Sequence, residues 1–458
     1  MSVEGLLPSS FRDPAGFVFR RDGVLHRAIL KAGQPHYDAL MTSGLYDELA
    51  KDGLIVAHKE ASVPDLGYQG AYKIIRPEEV PFVSYPYEWS FSMLRDAALA
   101  TLEIQKRALR RGLTLVDASA FNVQFLRGRA TLIDTLSFRR AAPGAPWTAY
   151  RQFCQHFLAP LALMSFKDVR LSQLMRVYLD GIPLDLASSL LPFHTRRRFS
   201  LLLHIHLHAR SQKRFEGRKP PVTAGHVGPR ALMGLIDSLE SGVKKLRWRP
   251  AGTEWGNYYG DTNYSEKSFA DKKNAVADFL EAVRPRTVWD MGGNIGEFSR
   301  LAASRGAFTV SFDIDPACIE MNYLRARAGH EHNILPLLID LTNPSPGAGW
   351  ENRERMSLVE RGPADAVLAL ALVHHLAIGN NVPLEMIARM LSHISRSALV
   401  EFIPKSDSQI QRLFVVREDI FGAYTQEGFE RAFSEHFTIQ TRRVIKDSLR
   451  SLYWMERR

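Results

Sequence analysis

The spacing of apolar residues changes several times along this chain, and each change predicts a different kind of element. In GFVFRRDGVLHRAIL, Gly16 to Leu30, two apolar runs flank Asp22-Gly23. That dipeptide tolerates the positive φ of a tight turn, so the pattern predicts a hairpin. Helical spacing follows around His36 to Asp52, then an extended piece at Ala71 to Arg76, then a longer amphipathic helix over Phe91 to Arg111 that stops at Gly112. Short strands return toward Phe138. From Trp147 to His208, Leu, Phe and Ala recur at helical spacing, which predicts a helical subdomain. Ser211 to Arg230 mixes Pro, Gly and basic residues without apolar periodicity and reads as an interdomain linker. A helix is expected over Ala231 to Arg247. Beyond it strands and helices alternate to the end, the signature of a parallel sheet with crossover helices.

A chain of 458 residues exceeds the size at which a single core stops growing. The expected division is an α+β region with a helical subdomain at 11–210, a linker and connecting helix at 211–253, and an α/β domain at 254–458. An apolar fraction of 45% with 24% charged residues suits a folded globular protein. The two cysteines, Cys154 and Cys318, are far apart and lack ligand spacing, which argues against a disulfide framework or a zinc site. The amino terminus lacks a basic segment followed by a long apolar one, and no run reaches the roughly 18 apolar residues of a spanning helix. A cytoplasmic protein with no membrane span is expected. The formal charge of +10 concentrates in runs such as Arg196 to Arg198, Lys213 to Lys219 and Lys244 to Arg249, read as solvated faces. With no recognised nucleic-acid motif beside them, nucleic-acid binding is disfavoured. His204, His206 and His208 alternate within a Leu-rich helical pattern, so they do not converge as metal ligands.

The strongest chemical signal is TVWDMGGNIGEFSRLAASRG, Thr287 to Gly306: a short apolar strand, a turn carrying Gly292, Gly293 and Gly296, then an amphipathic helix. Glycines let a ligand approach the backbone, and a helix amino terminus offers free N–H groups. The spacing is not the dinucleotide GxGxxG, and Asp290 at the strand end suits an amino or hydroxyl donor better than a pyrophosphate. A second strand, AFTVSFDID, ends at Asp313, where a carboxylate accepts from ribose hydroxyls. A third, NILPLLIDL, ends at Asp340, placed to accept from the amine of adenine, and ADAVLALALVHHL supplies a fourth.

With these residues in place, the region from Glu254 to Phe437 resembles the class I S-adenosylmethionine-dependent methyltransferases, which have a Rossmann-like fold with a mainly parallel sheet. Asp290 to Gly296 matches that family's first motif, Asp313 its ribose-binding acid and Asp340 its adenine-contacting acid. The run Gly-Gly-Asn-Ile-Gly departs from the commoner GxGxG, and Asn294 is a candidate side-chain contact. The preceding block EWGNYYGDTNYSEKSFADKK is similar to an entry segment that closes over the cofactor, with Tyr258, Asp261 and Tyr264 as lid candidates or packing residues. The alternatives are a domain that binds another nucleotide or one that has lost its ligand.

Methyl transfer needs an acceptor lone pair in line with the sulfonium methyl, and a base chiefly for hydroxyl acceptors. His374 and His375 follow the fourth strand and are candidate bases. Glu401, at the end of the fifth strand SALVEFIPKSD, is the next candidate, with a structural hydrogen bond as its other reading.

In the first region, LTLVDASAFNVQFLRGRATLIDTLSF spaces Asp117, Asn122 and Asp134 as the catalytic loop and metal-binding Asp of kinase-like folds do, where such residues serve Mg-ATP. No glycine-rich phosphate loop or matching lysine accompanies them, and the last motif reads Asp-Thr-Leu. They equally satisfy one another around a hairpin. As a whole the chain is similar to a family of bacterial methyltransferases that includes host-specificity nodulation proteins, through blocks such as SYPYEWSF, RQFCQHFLAPLAL and DIFGAYTQEGFE. The resemblance implies a bacterial, cytoplasmic methyltransferase (EC 2.1.1.-) without settling the acceptor; the acceptor expected is a hydroxyl of a small molecule or glycan. A noncatalytic cofactor-binding scaffold and a bifunctional kinase-methyltransferase are the competing readings.

Overall fold

The computed structural model describes residues 5–63, 70–210, 227–250, 265–415 and 418–458. Its contacts divide the chain into two compact units, Met1–Arg249 with Ala348–Arg355, and Pro250–Gly347 with Met356–Arg458.

Unit 1 begins with the expected hairpin. Strands β1 (Gly16–Arg21) and β2 (Val24–Leu30) pair antiparallel across Asp22 and Gly23, both at positive φ. With β3 (His58–Ala61) and β4 (Ala71–Pro77) they form a sheet in the order β1-β2-β4-β3. The helical pattern from His36 to Asp52 divides into α1 (Gln34–Thr42) and α2 (Leu45–Lys51). Gly44 sits between them at φ 73°, a left-handed conformation that no helix interior contains. Helix α3 (Phe91–Arg110) is capped by the Ser90 hydroxyl at the Met93 N–H, 3.4 Å away, and ends before Gly112 at positive φ. Two small antiparallel pairs follow: β5 (Leu113–Leu115) with β8 (Phe138–Arg140), and β6 (Val123–Leu126) with β7 (Arg129–Leu132). The region from Tyr150 to Leu207 is helical in short pieces, two of them π-helical turns, Cys154–Leu158 and Leu202–Leu207. Helix α4 (Pro229–Lys245) completes the long helices of this unit.

A segment that follows far later in sequence also belongs to unit 1. Ala348 and Arg355 exchange backbone hydrogen bonds of 3.1 Å, Glu354 pairs with Arg12, and the Arg355 guanidinium lies 4.7 Å over the Phe121 ring.

Unit 2 is built on a seven-stranded sheet. Its strands are β9 (Thr287–Met291), β10 (Phe308–Asp313), β11 (Ile334–Leu338), β12 (Ala364–Ala369), β13 (Ser395–Phe402), β14 (Phe437–Val444) and β15 (Ser451–Arg457). The order is β11-β10-β9-β12-β13-β15-β14; the first five are parallel and β15 runs antiparallel to both β13 and β14. Chain order reverses between β9 and β12, and at such a switch point the carboxyl ends of neighbouring strands open a crevice. Parallel strands covered on both faces read as continuous apolar runs, which is why Ala366, Val367, Leu368 and Ala369 are all fully buried. Helix α5 (Glu266–Val283) lays Val276, Phe279 and Leu280 on Val288, Leu368 and Leu399. The crossovers are α6 (Glu297–Ala303), α7 (Pro316–Ala328) and α8 (Leu384–Ile394); α9 (Ser408–Phe414) and α10 (Gln426–Ser434) lie between β13 and β14.

Candidate functional site

The crevice at the reversal holds a cavity of about 300 Å³. Asp290, Gly292, Gly293, Asn294, Asp313 and Asp340 all line it. The turn after β9 is fastened to β10 by backbone: Gly292 and Gly293 both donate to the Phe312 carbonyl, at 2.9 and 2.8 Å. A side chain at Gly293 would strike the Ser311 hydroxyl and lie 3.0 Å from an Asp290 carboxylate oxygen. Gly296, at φ 84°, packs so close that an added Cβ would be 2.6 Å from Asn322 and from Arg300. Both glycines are thus required by close approach, and Asn294 takes a positive φ of 50° while keeping its side chain.

Two carboxylates stand at the ends of adjacent strands. Asp313 accepts the Asn294 N–H on Oδ2 at 2.8 Å and the Asp315 N–H on Oδ1 at 2.9 Å. Asp290 accepts the Ser299 hydroxyl at 2.6 Å. Burial pushes the pKa of each up to about 6, the neighbouring carboxylates adding to it. Asp340 lies two residues beyond β11, partly exposed, and caps its own loop by accepting the Thr342 N–H and hydroxyl at 2.8 and 2.6 Å. The lid candidates Tyr258, Asp261 and Tyr264 lie outside the described residues.

The three candidate bases are placed differently. His375 lines the cavity at the start of a π-helical turn, His375–Gly379, and burial lowers its pKa to about 4. His374, 4.0 Å from it ring to ring, is buried behind, and its Nδ1 has no hydrogen-bond partner among the described residues. Burial, then the charges of His375, Arg450 and Lys272, holds it far below the usual histidine range, so it is neutral at pH 7. Glu401 is fully buried and absent from the lining. Its Oε2 accepts from the Lys272 ammonium at 2.7 Å and from the Ala371 N–H at 2.8 Å.

Lys272 was not legible as a site residue among the charges of EKSFADKK. The helical phase nevertheless carries the signal: Ser268, Lys272, Ala275, Val276 and Phe279 share one stripe of α5, and all are buried. Its ammonium reaches the cavity wall and lies 5.1 Å over the Phe298 ring. Behind it the charges continue: Arg450 Nη1 is 3.9 Å from Glu401 Oε1, and its Nε and Nη2 meet Asp407 at 2.8 and 3.2 Å. Glu401 thereby holds Ala371, a cavity residue at φ 51° that an alanine adopts only under constraint. Three carboxylates against one ammonium leave the lining anionic, with apolar walls from Phe269, Phe298, Leu370, Leu372 and Leu376. Such a site suits a cationic ligand with an apolar body.

In unit 1 the structure brings Asp117, Asn122 and Asp134 together. Asn122 hydrogen-bonds Asp117, and Asp134 is near enough to raise the Asp117 pKa, although burial is the larger cause. The Asp134 carboxylate is already engaged: Arg27 Nη1 lies 2.7 Å from it, the Ser137 hydroxyl and the Leu136 N–H donate to it, and Arg27 also binds Asp13 at 2.6 Å. His204 and His208 both contact Tyr150, while His206 has a different set of partners. His204 bonds to Tyr150 and Ser238, His206 to Ser188 and Thr195, and His208 stacks on Tyr150.

Compared with known proteins, the chain is similar along nearly its whole length to the nodulation protein NoeA of Rhizobium meliloti (strain 1021), at 35% identity over 470 residues, covering 99% of this chain and 96% of that one. No family model matches it. Among solved structures it is similar to the magnesium protoporphyrin IX methyltransferase ChlM from Synechocystis PCC 6803 with bound SAH, at 17% identity and TM-score 0.32, over 44% of this chain and 93% of that one. It is also similar to the N-methyltransferase NodS from Bradyrhizobium japonicum WM9, at 10% identity and TM-score 0.32, over 42% and 98%. Likeness at that level carries no argument about chemistry.

Proposed function

The chain belongs to the family of the nodulation protein NoeA, and on that premise we propose that it is an S-adenosylmethionine-dependent methyltransferase acting on a hydroxyl of a small molecule or glycan. The observation that carries the reading is the pair of buried carboxylates, Asp290 and Asp313, at adjacent strand ends beside a glycine turn, all lining one cavity. The doubly wound order of the sheet, reversing at the cavity, supports it. Asp290 would hold the methionine amino group, Asp313 the ribose hydroxyls and Asp340 the adenine amine. The anionic lining favours a cationic sulfonium, and S-adenosylmethionine supplies a methyl group already activated for transfer. Positioning therefore does most of the work left to the protein.

His375 faces the cavity as a neutral imidazole and accepts a hydrogen bond from the acceptor hydroxyl, aligning a lone pair toward the methyl. A pKa of about 4 makes it a weak base, so it would take the acceptor proton late, once the forming C–O bond has made that oxygen acidic and the methyl's bond to sulfur is breaking. Glu401 and His374 lie behind the lining and act through Ala371 and His375. The test is transfer of labelled methyl from S-adenosylmethionine into a small-molecule and glycan fraction of the source cells. Wild type is expected to label it and Asp313→Ala to fail; a folded wild type that labels nothing across acceptor classes favours the scaffold reading.

Phosphotransfer by unit 1 is a second reading, favoured by the meeting of Asp117, Asn122 and Asp134. Arg27 counts against it, because a guanidinium 2.7 Å from Asp134 stands where Mg-ATP would need its metal.

A further inference from the structure

Unit 1 exposes an apolar strip that its own core does not use. Phe193 and Phe199 are each 72% exposed, Leu203 37% and Leu207 42%. Phe199, Leu203 and Leu207 recur every fourth residue, about one helical turn, and share the outward face; Leu201, His204, Ile205 and Ala209 are buried on the other. The inward face is fixed by the hydroxyl bonds of His204 and His206, so the outward face is presented by a rigid element. Phe193 lies on the adjoining turn, Phe193–Arg197.

Arginines frame this strip. Arg196, Arg197 and Arg198 are exposed between the two phenylalanines, and Arg210 is exposed one turn beyond Leu207. The Arg196 guanidinium lies 4.9 Å over the Phe193 ring. From Leu186 to Phe215 the sequence has no acidic residue, against Arg196, Arg197, Arg198, Arg210, Lys213 and Arg214. An exposed run of large apolar side chains flanked along the sequence by one sign of charge marks an interaction face. Its chemistry selects the partner. A second copy of the chain across a two-fold axis would set arginines against arginines. A nucleic acid would take the arginines and leave Leu203 and Leu207 facing a polar backbone. At the surface of an anionic bilayer the rings and leucines enter the acyl boundary while the guanidiniums stay with the phosphates. We propose that this face of unit 1 docks peripherally on anionic lipid. The inference is independent of methyl transfer.

Flotation of the full chain with vesicles of phosphatidylcholine, alone or mixed with phosphatidylglycerol, tests it. Wild type is expected to float only with the anionic vesicles, and less as salt rises. Arg196→Gln/Arg197→Gln is expected to weaken partitioning on the order of thirtyfold, from about 1 kcal/mol for each basic residue near a charged surface. Phe199→Ser/Leu203→Ser, which leaves those charges in place, is expected to weaken it as well. Wild type that does not float, or variants that float as well as wild type, would overturn the proposal. So would a wild-type dimer on size exclusion that Phe199→Ser/Leu203→Ser dissociates while no form binds vesicles.

Discussion

Asp290 and Asp313 hold protons more tightly in the folded chain than out of it, because burial penalises their ionised forms and lifts each pKa from 3.8 to about 6. Between those values the native state binds more protons than the unfolded state, so stability contributed by these groups is present below the unfolded pKa and is lost as pH rises through the folded one. A shift of about two units corresponds to roughly 3 kcal/mol for each group. Other carboxylates here shift downward, Glu297 and Asp271 among them, and oppose the trend. The difference between wild type and Asp313→Asn isolates it. Urea midpoints at about pH 5 and about pH 8 should show wild type losing stability relative to Asp313→Asn as pH rises. Parallel curves would contradict the raised pKa. Ligand binding follows the opposite sign: an amino group and ribose hydroxyls favour the ionised carboxylates, so affinity for S-adenosylmethionine should increase through about pH 6. The acids themselves were legible, since Asp290 and Asp313 end apolar strands. Their shared burial was not, because it depends on which strands become neighbours.

Elements are tied together behind the cavity by buried charge. Lys272 on α5, Glu401 on β13, Arg450 before β15 and Asp407 at the start of α9 form one connected set, each at most 4% exposed. Removing a single partner leaves an uncompensated buried charge, which costs about 3–5 kcal/mol. Glu401→Ala should lower stability by that order in denaturant titration, and Lys272→Met/Glu401→Leu, which removes the pair, should recover much of it. A double variant whose loss equals the sum of the losses of Lys272→Met and Glu401→Leu alone would show that the pair is not coupled. Helical phase explains both what was readable and what was missed at this scale. The stripe of α5 contains Lys272, but a lysine in a charged segment reads as solvated unless the partner strand is known. Conversely, the apolar periodicity from His36 to Asp52 spans two helices, because a backbone turn at Gly44 leaves the side-chain pattern almost unchanged.

The whole molecule consists of two units that divide its chemistry. Alternation of strands and helices after Arg247 is enough to expect a parallel α/β sheet, and the observed order places the glycine turn at the reversal. The inclusion of Ala348–Arg355 in unit 1 had no counterpart in sequence, since Glu354 and Arg355 meet Arg12 and Phe121 more than two hundred residues away. The arginine run at Arg196 to Arg198 reads as a solvated face until the exposure of Phe193, Phe199 and Leu203 is known. The kinase-like spacing of Asp117, Asn122 and Asp134 describes a real cluster, and Arg27, ninety residues earlier than Asp117, changes what that cluster can hold.

Whether the cavity of unit 2 binds S-adenosylmethionine through Asp313 can be read from isothermal titration of the full chain beside its Asp313→Ala variant. Wild type should show saturable binding to one site. The variant should bind about ten to a hundredfold more weakly, the loss expected for hydrogen bonds to a charged acceptor worth roughly 1.5–3 kcal/mol. Folded wild type that takes up no S-adenosylmethionine, or a variant that binds it as tightly as wild type, would mean that Asp313 does not hold this cofactor in the cavity.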